Sequence, residues 1–259
     1  MPGNWGLDID ASFDPLGFRY GADMFGPEPE LRRLDAIRAS LRDPDCDGPD
    51  PVYAIAMDVG RPRHRAELAR KNLLFGVVAY AAGRLGDEPV RSQGHVHRVS
   101  PFCGWSTPEI FEIWQGRALI YMQERAEDDP GRSIAIDAGP GARVVVPPSW
   151  AHAVISADPW QPLVFGAWCD RDYGFVYDGV RARGGLAWFP LLDENGGIVW
   201  TANHRYHRSD VIVRPAREYP ELALDPAIPL YDHLERKPEA IEWVSRPALM
   251  RDLWPLFEP

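Results

Sequence analysis

Three histidines and a glutamate set the chemical question this sequence poses. In "GHVHRVSPFCGWSTPEIFEIWQG", residues 94–116, His95 and His97 stand one residue apart, and Glu109 follows on a run rich in β-branched and aromatic residues. In a strand, residues i and i+2 face the same way, so an HxH pair sets two imidazoles side by side toward one surface. By itself the pair reads equally well as two polar residues on a strand. A second segment, "GARVVVPPSWAH", adds His152 after a Pro-Pro corner. Imidazoles and a carboxylate converging from separate strands of one barrel suit a first-row divalent ion with open positions, which makes His95, His97, Glu109 and His152 the candidate metal ligands. Iron is the first choice of metal, with manganese, nickel and zinc as alternatives.

The elements that would position these groups are strands. "PVYAIAMDV", "NLLFGVVAY", "IFEIWQGRALIYMQE", "SIAIDA", "ARVVVPP", "HAVISA" and "PLVFGAWC" are short runs separated by Gly, Pro, Asp and Asn. That pattern describes an all-β sandwich or barrel, without the long helical stretches of βαβ units. "GLAWFPLLDENGGIVW" adds a hairpin signal at "ENGG". Upstream, Leu31, Leu34, Ile37 and Leu41 recur at three- and four-residue spacing and predict one short amphipathic helix. Downstream, "PEAIEWVSRPALMRDLW" has room for one or two helical turns. The division expected is an N-terminal helical or irregular arm over residues 1–50, a barrel over 51–205, and a C-terminal extension over 206–259 that packs on it.

Composition narrows the partners. The 259 residues carry a formal net charge of -10 and no basic run, which argues against nucleic acid. No apolar run is long enough to span a bilayer, and "MPGNWGLDIDASFD" has no signal-peptide pattern, so the expectation is a cytoplasmic protein with no membrane partner. Cys46, Cys103 and Cys169 are scattered and odd in number, and are read as free thiols.

The two histidine segments resemble the paired motifs of the cupin superfamily. His95, His97, Glu109 and Gly116 match the first motif, with a longer interval between His97 and Glu109 than is common. Gly141, Pro147 and His152 match the second, with Ser149 and Ser156 where Gly and Asn are usual. The fold class this implies is an all-β cupin barrel, a double-stranded β-helix or jelly roll. Over roughly residues 50–205 the sequence is similar to the cupin-type, metal-dependent glucose-6-phosphate isomerases. The segments that carry this are "NLLFGVV", "GRLGDE", "SQGHVH", "PEIFEI", "VVVPPSWAHAVIS", "PLVFGAWC", the "DYG" of Asp172 to Gly174 and "DENGGIVWTANHRY".

The resemblance implies that His95, His97, Glu109 and His152 hold the metal, with Glu109 also moving a proton. It places Tyr173 at an active-site tyrosine, Tyr53 and Phe111 along the pocket, and Ser92 and the Gly94 N–H at the substrate phosphate. A sugar phosphate is the implied substrate and a homodimer the expected assembly. The departures are Leu74 and Gln93, where a threonine and a cation are common, Phe111 for a tyrosine, and Arg171 for a histidine. Arg171, Arg91 or Lys71 would supply the missing positive charge. Two alternatives stay open: a cupin isomerase or epimerase acting on another sugar or sugar phosphate, and a metal cupin that does oxygen chemistry or binds a sugar.

Other groups receive structural readings. Glu112, opposite Glu109 by strand alternation, is assigned to solvent or to an outside pair, and His64, His204, His207 and His233 to the surface. Trp105, Trp150 and Trp168 either pack the core or shape the pocket. The stretch "RVSPFCGWST" is expected to lie over the pocket mouth.

Overall fold

The computed structural model describes residues 5–259. Two sheets face each other. The larger has six strands in the order Arg143–Val146, Glu109–Gln115, Leu163–Asp170, Leu73–Tyr80, Tyr53–Val59 and Glu30–Arg32, every neighbouring pair antiparallel. The smaller runs Ala151–Ser156, Ala118–Gln123, Ser133–Ala138 and Val211–Pro215, the last joined parallel. Its first edge is prolonged by the segment around His95, which bridges His152, and then by the short pair Val96–His97 and Phe175–Val176. Chain crossing between two such sheets gives the jelly-roll form of an all-β barrel.

Both outer faces are covered, which explains why the strands read as continuous apolar runs. Tyr80, Phe111, Ile120, Ile136, Val146 and Phe165 fill the space between the sheets. Behind the larger sheet, Phe75, Ile110 and Trp168 meet Leu230, Tyr231, Ile241 and Trp243 of the C-terminal extension. Behind the smaller one, Tyr121, Ala153 and Ile155 meet Val180, Leu186 and Trp200. A strand buried on both faces loses its polar alternation, because no side chain faces water. Trp168 and Trp243 are fully buried, and each contributes on the order of 2–3 kcal/mol of transfer energy to holding the extension down.

Three expectations about the flanking segments need correction. The arm is not an α-helix: Leu31 lies in the strand Glu30–Arg32, and only two 3-10 turns, Leu34–Ala36 and Arg38–Ser40, follow. The apolar spacing reflects Leu34, Ile37 and Leu41 plugging one end of the barrel core, whereas Leu31 is exposed. For Glu112 the expected outside pair forms and is buried, and the solvated alternative is the one that fails. Glu112 accepts from Arg143 Nε at 3.0 Å and Nη2 at 2.9 Å, and from the Leu230 N–H at 3.0 Å, because the extension roofs the face toward which it points. His64 and His233 are buried for the same reason, His64 lying 2.9 Å from the Tyr231 hydroxyl and 2.7 Å from Glu235.

The "ENGG" hairpin forms, pairing Trp188–Leu192 with Ile198–Ala202. The C-terminal segment makes the short helix His233–Arg236 and a series of 3-10 turns. Elements with no counterpart in the sequence reading include the hairpin of Ile9–Phe13 and Leu16–Tyr20, the helix Asp178–Ala182 and the helix Arg65–Lys71. The last closes on Asn72 at φ +54° and feeds the strand Leu73–Tyr80.

Candidate metal centre

His95, His97, Glu109 and His152 come together on the inner wall, one ligand atom from each lying within 4.8 Å of all the others. Local structure fixes each group. His95 and His152 exchange both backbone hydrogen bonds, at 2.9 and 3.0 Å, which locks the HxH segment to the strand Ala151–Ser156. Glu109 opens the strand Glu109–Gln115 opposite Val146. Between them Ser149 holds φ +70°, a left-handed turn of the kind glycine adopts freely, and the chain reverses there to present His152.

The donor set fits a cation. His97 Nδ1 lies 2.7 Å from the Thr107 carbonyl and His152 Nδ1 3.2 Å from that of Trp150, so each ring places its N–H on a carbonyl and turns an Nε2 lone pair inward. His95 Nε2 and His97 Nε2 are buried with no hydrogen-bond partner among the described residues. Lone pairs of this kind facing a carboxylate repel unless a positive charge lies between them. Burial would raise the Glu109 carboxyl, but His152 and His97 outweigh it and hold the group well below the usual carboxylate range. Burial, reinforced by His152 and His97, pushes His95 well below the ordinary imidazole value. An anionic carboxylate beside a neutral imidazole is the state a divalent ion requires.

Glu109 has a further partner. The Cys169 thiol donates to Glu109 Oε1 at 2.8 Å, while Oε2 faces His97 and His152, each at 3.3 Å. The two carboxylate oxygens are therefore distinguished, one tied back to the strand Leu163–Asp170 and the other turned to the cluster.

The cavity that holds the cluster is lined by Tyr53, Tyr80, Ser92, Gln93, His95, Glu109, Phe111 and His152, closed by Phe165, Phe175 and Tyr177, and reached by Arg32. Of the proposed substrate contacts, Tyr53, Ser92 and Phe111 line this cavity. Gly94, Tyr173 and Arg171 do not line it. Gly94 sits at φ +86° with Leu186 packed so closely that a Cβ would approach it at 2.9 Å. Tyr173 is exposed beyond the rim, and it is Phe175, 4.3 Å from His95 between ring centroids, that meets the cluster. Arg171 turns outward to a two-pronged pair with Asp58, at 2.7 and 3.0 Å, because a bulge in the strand Tyr53–Val59 swings Asp58 toward it.

The other proposed cations are likewise engaged elsewhere, Arg91 with Glu88 at 2.6 Å and Lys71 with Glu242 at 3.0 Å. Trp105, Trp150 and Trp168 do not line the cavity and pack instead in the two large cores. No residue of "RVSPFCGWST" lines it either, and the loop runs outward, with Phe102 beneath the Arg246 guanidinium at 5.7 Å. Residues the sequence reading missed are Arg32, Tyr80 and Tyr177, which lie outside both histidine motifs.

A jelly roll with an interior cluster of three imidazoles and a carboxylate defines a cupin of the metal-binding kind. Comparison with known proteins makes the class specific. The family model described as glucose-6-phosphate isomerase (GPI) matches residues 34–208, and the chain belongs to that family. The glucose-6-phosphate isomerase of Sinorhizobium medicae is 30% identical over 152 residues, 58% of this chain and 64% of that one. That of Thermococcus kodakarensis is 26% identical over 212 residues, 78% of this chain and 95% of the other. The chain spans between 60% and 65% of the length of the first three curated relatives it matches. Among solved structures, an oxalate decarboxylase variant from Bacillus subtilis aligns with a TM-score of 0.38 at 13% identity, over 62% of this chain and 33% of that one, a likeness too distant to bear on the site.

Proposed function

We propose that this chain is a metal-dependent aldose-ketose isomerase interconverting glucose 6-phosphate and fructose 6-phosphate. The observation that carries the reading is the four-donor cluster inside a cavity of a chain that belongs to this family. His95, His97, Glu109 and His152 would hold the metal, iron being the first candidate. When bound, such an ion acts as a Lewis acid that orients and polarises the sugar oxygens.

The remaining chemistry belongs to the protein. Isomerisation moves a proton between two adjacent carbons, and one carboxylate oxygen can serve both. Glu109 is suited to this because the Cys169 thiol and two imidazoles fix the orientation of its carboxylate. Phe111, Phe165 and Phe175 exclude water from the reacting end, while the Tyr53, Tyr177 and Ser92 hydroxyls offer donors and acceptors to the sugar. Tyr173, at the rim, is left as a contact for the sugar during entry. We further place the protein in cytoplasmic sugar-phosphate metabolism as a homodimer. One apolar edge available for pairing is the strand Val211–Pro215, where Ile212 and Val213 are exposed.

The test is metal-replete protein with fructose 6-phosphate in deuterated water. Glucose 6-phosphate should form with solvent deuterium at C2, and Glu109→Gln should abolish it. Product free of deuterium together with activity retained in Glu109→Gln would exclude Glu109 as the proton carrier, and no product from a fully metallated protein would overturn the reading.

A further inference from the structure

Two donor atoms at the cavity have no hydrogen-bond partner among the described residues. Gln93 is 1% exposed, and its Nε2 has no partner, although its Oε1 accepts from Arg181 Nε at 2.9 Å. That contact fixes the amide, since an oxygen facing a guanidinium forces the NH2 the other way. Arg32 Nε is also buried and unpartnered, although Arg32 Nη2 pairs with Glu30 at 2.7 Å. An unpaired buried donor has lost its water without compensation, which a ligand accepting from it would restore.

Arg32 and Gln93 both line the cavity, together with Ser92, Tyr53 and Tyr177. Apart from histidine, Arg32 and Glu109 are the charged residues among those that line it. The Glu30 carboxylate that pairs with Arg32 is 65% exposed, so water screens it and it does not neutralise the guanidinium toward the interior.

Resting on the isomerase reading, we propose that Arg32, with the Gln93 amide, is the residue that selects a phosphorylated sugar by binding its terminal phosphoryl oxygens. Arg32 stands outside the matched residues 34–208 and arrives on the strand Glu30–Arg32, which pairs with Tyr53–Val59 beside Tyr53 itself. The guanidinium carbon lies 6.0 Å from the Tyr53 ring centre, which holds it against the cavity wall. This supplies the cation missing where Gln93 stands. Leu74, buried in the inner core, does not line the cavity. A guanidinium presents paired donors to phosphoryl oxygens, and the Gln93 NH2 adds another without charge. Glu109 at the cluster and Arg32 then give the cavity opposite charges at the two groups a sugar phosphate must satisfy.

The experiment compares wild type with Arg32→Met, Arg32→Lys and Gln93→Glu. In the metal-loaded enzyme, Arg32→Met should lower the selectivity for fructose 6-phosphate over fructose by about ten- to a hundredfold, mostly through KM, and Arg32→Lys should recover part of it. Gln93→Glu keeps an acceptor for Arg181, so it should fold, and it should raise KM for the phosphorylated sugar alone. Separately, the metal-free full chain is titrated calorimetrically with inorganic phosphate. Binding that weakens tenfold or more in Arg32→Met sustains the proposal even if wild type shows no turnover, in which case the isomerase reading alone falls. Phosphate affinity and sugar selectivity equal in wild type and Arg32→Met would overturn it.

Discussion

Replacing Glu112 by Gln should destabilise the protein without touching its chemistry, whereas the same change at Glu109 should do the reverse. Glu112 and Glu109 share the strand Glu109–Gln115 but face opposite sides of it. Glu112 bonds twice to Arg143 and once to the Leu230 N–H, and Arg143 in turn donates to the carbonyls of Asp225 and Ile228. Breaking a buried pair from one side costs roughly 3–5 kcal/mol, because the remaining charge loses its counterpart. The carbonyl partners that Arg143 keeps, and the amide oxygen left for Leu230, put Glu112→Gln at the low end, about 3 kcal/mol. In a chain of this size that is a fall in Tm of roughly 6–12 °C. The assay is thermal unfolding followed by circular dichroism, with isomerase activity measured well below the transition. Activity per folded molecule should match wild type, since the side chain lies behind the sheet and outside the cavity. A Tm within about 2 °C of wild type would show that the pair does not hold the extension. An inactive but normally stable Glu112→Gln would mean that Glu112, not Glu109, serves the reaction.

The other expectations are shorter. Wild type prepared with metal should carry about one divalent ion per chain, and His152→Ala far less, as read by elemental analysis. Metal at a hundredfold excess over its Kd should add about 2.7 kcal/mol of stability, and a Tm that a chelator leaves unchanged would contradict a bound ion. Cys169→Ala removes the donor to Glu109 Oε1 and should lower kcat about tenfold with metal content intact, Cys169→Ser restoring much of it; equal kcat in all three would remove the thiol from the site. Burial is the largest cause holding His95 and His152 below 6.5, so the unfolded chain takes up their protons first as pH falls and the stability they provide above that value is lost. His97 shifts the other way, Glu109 outweighing burial, and opposes them. The metal-free chain should therefore lose Tm below pH 6.5 more steeply than His95→Asn does, and parallel curves would refute the assignment.

What the sequence conveyed depended on whether a residue's role was local. The metal donors were readable because strand periodicity and a Pro-Pro corner dictate which way His95, His97 and His152 point. Runs such as "NLLFGVVAY" declared strands because β-branched and aromatic residues suit a buried pleated surface, wherever the partner strand comes from. Glu112 was placed on the correct face, with solvent and an outside pair both left open. Alternation fixes direction, and only the fold shows that residues 225–230 return to cover that side. The arm was misread for a related reason. Leu34, Ile37 and Leu41 mimic a helical stripe while meeting the barrel end through two 3-10 turns, and Leu31 belongs to a strand whose pairing with Tyr53–Val59 is long-range.

That arm also resolves why the motif positions alone left the phosphoryl site incomplete. The segment before His95 lacks a cation, and the candidates near it in sequence or in family position, Arg91, Arg171 and Lys71, are each consumed by a carboxylate, namely Glu88, Asp58 and Glu242. A guanidinium already held in a buried pair gains little from a ligand, because binding would trade one partner for another. Arg32 differs in that its inward nitrogen has no partner to give up and its outward one leans on an exposed carboxylate. It reaches the cavity because the strand Glu30–Arg32 adds itself to the free edge of Tyr53–Val59, a backbone interaction that constrains side chains little. An edge strand of this kind can carry a new charged group into an inherited barrel without disturbing the four donors on its inner wall. On that argument, deleting residues up to Arg33 should cost affinity for phosphorylated sugars while leaving metal content near wild type. Loss of the metal in the truncated chain would show instead that the arm is needed to build the cluster.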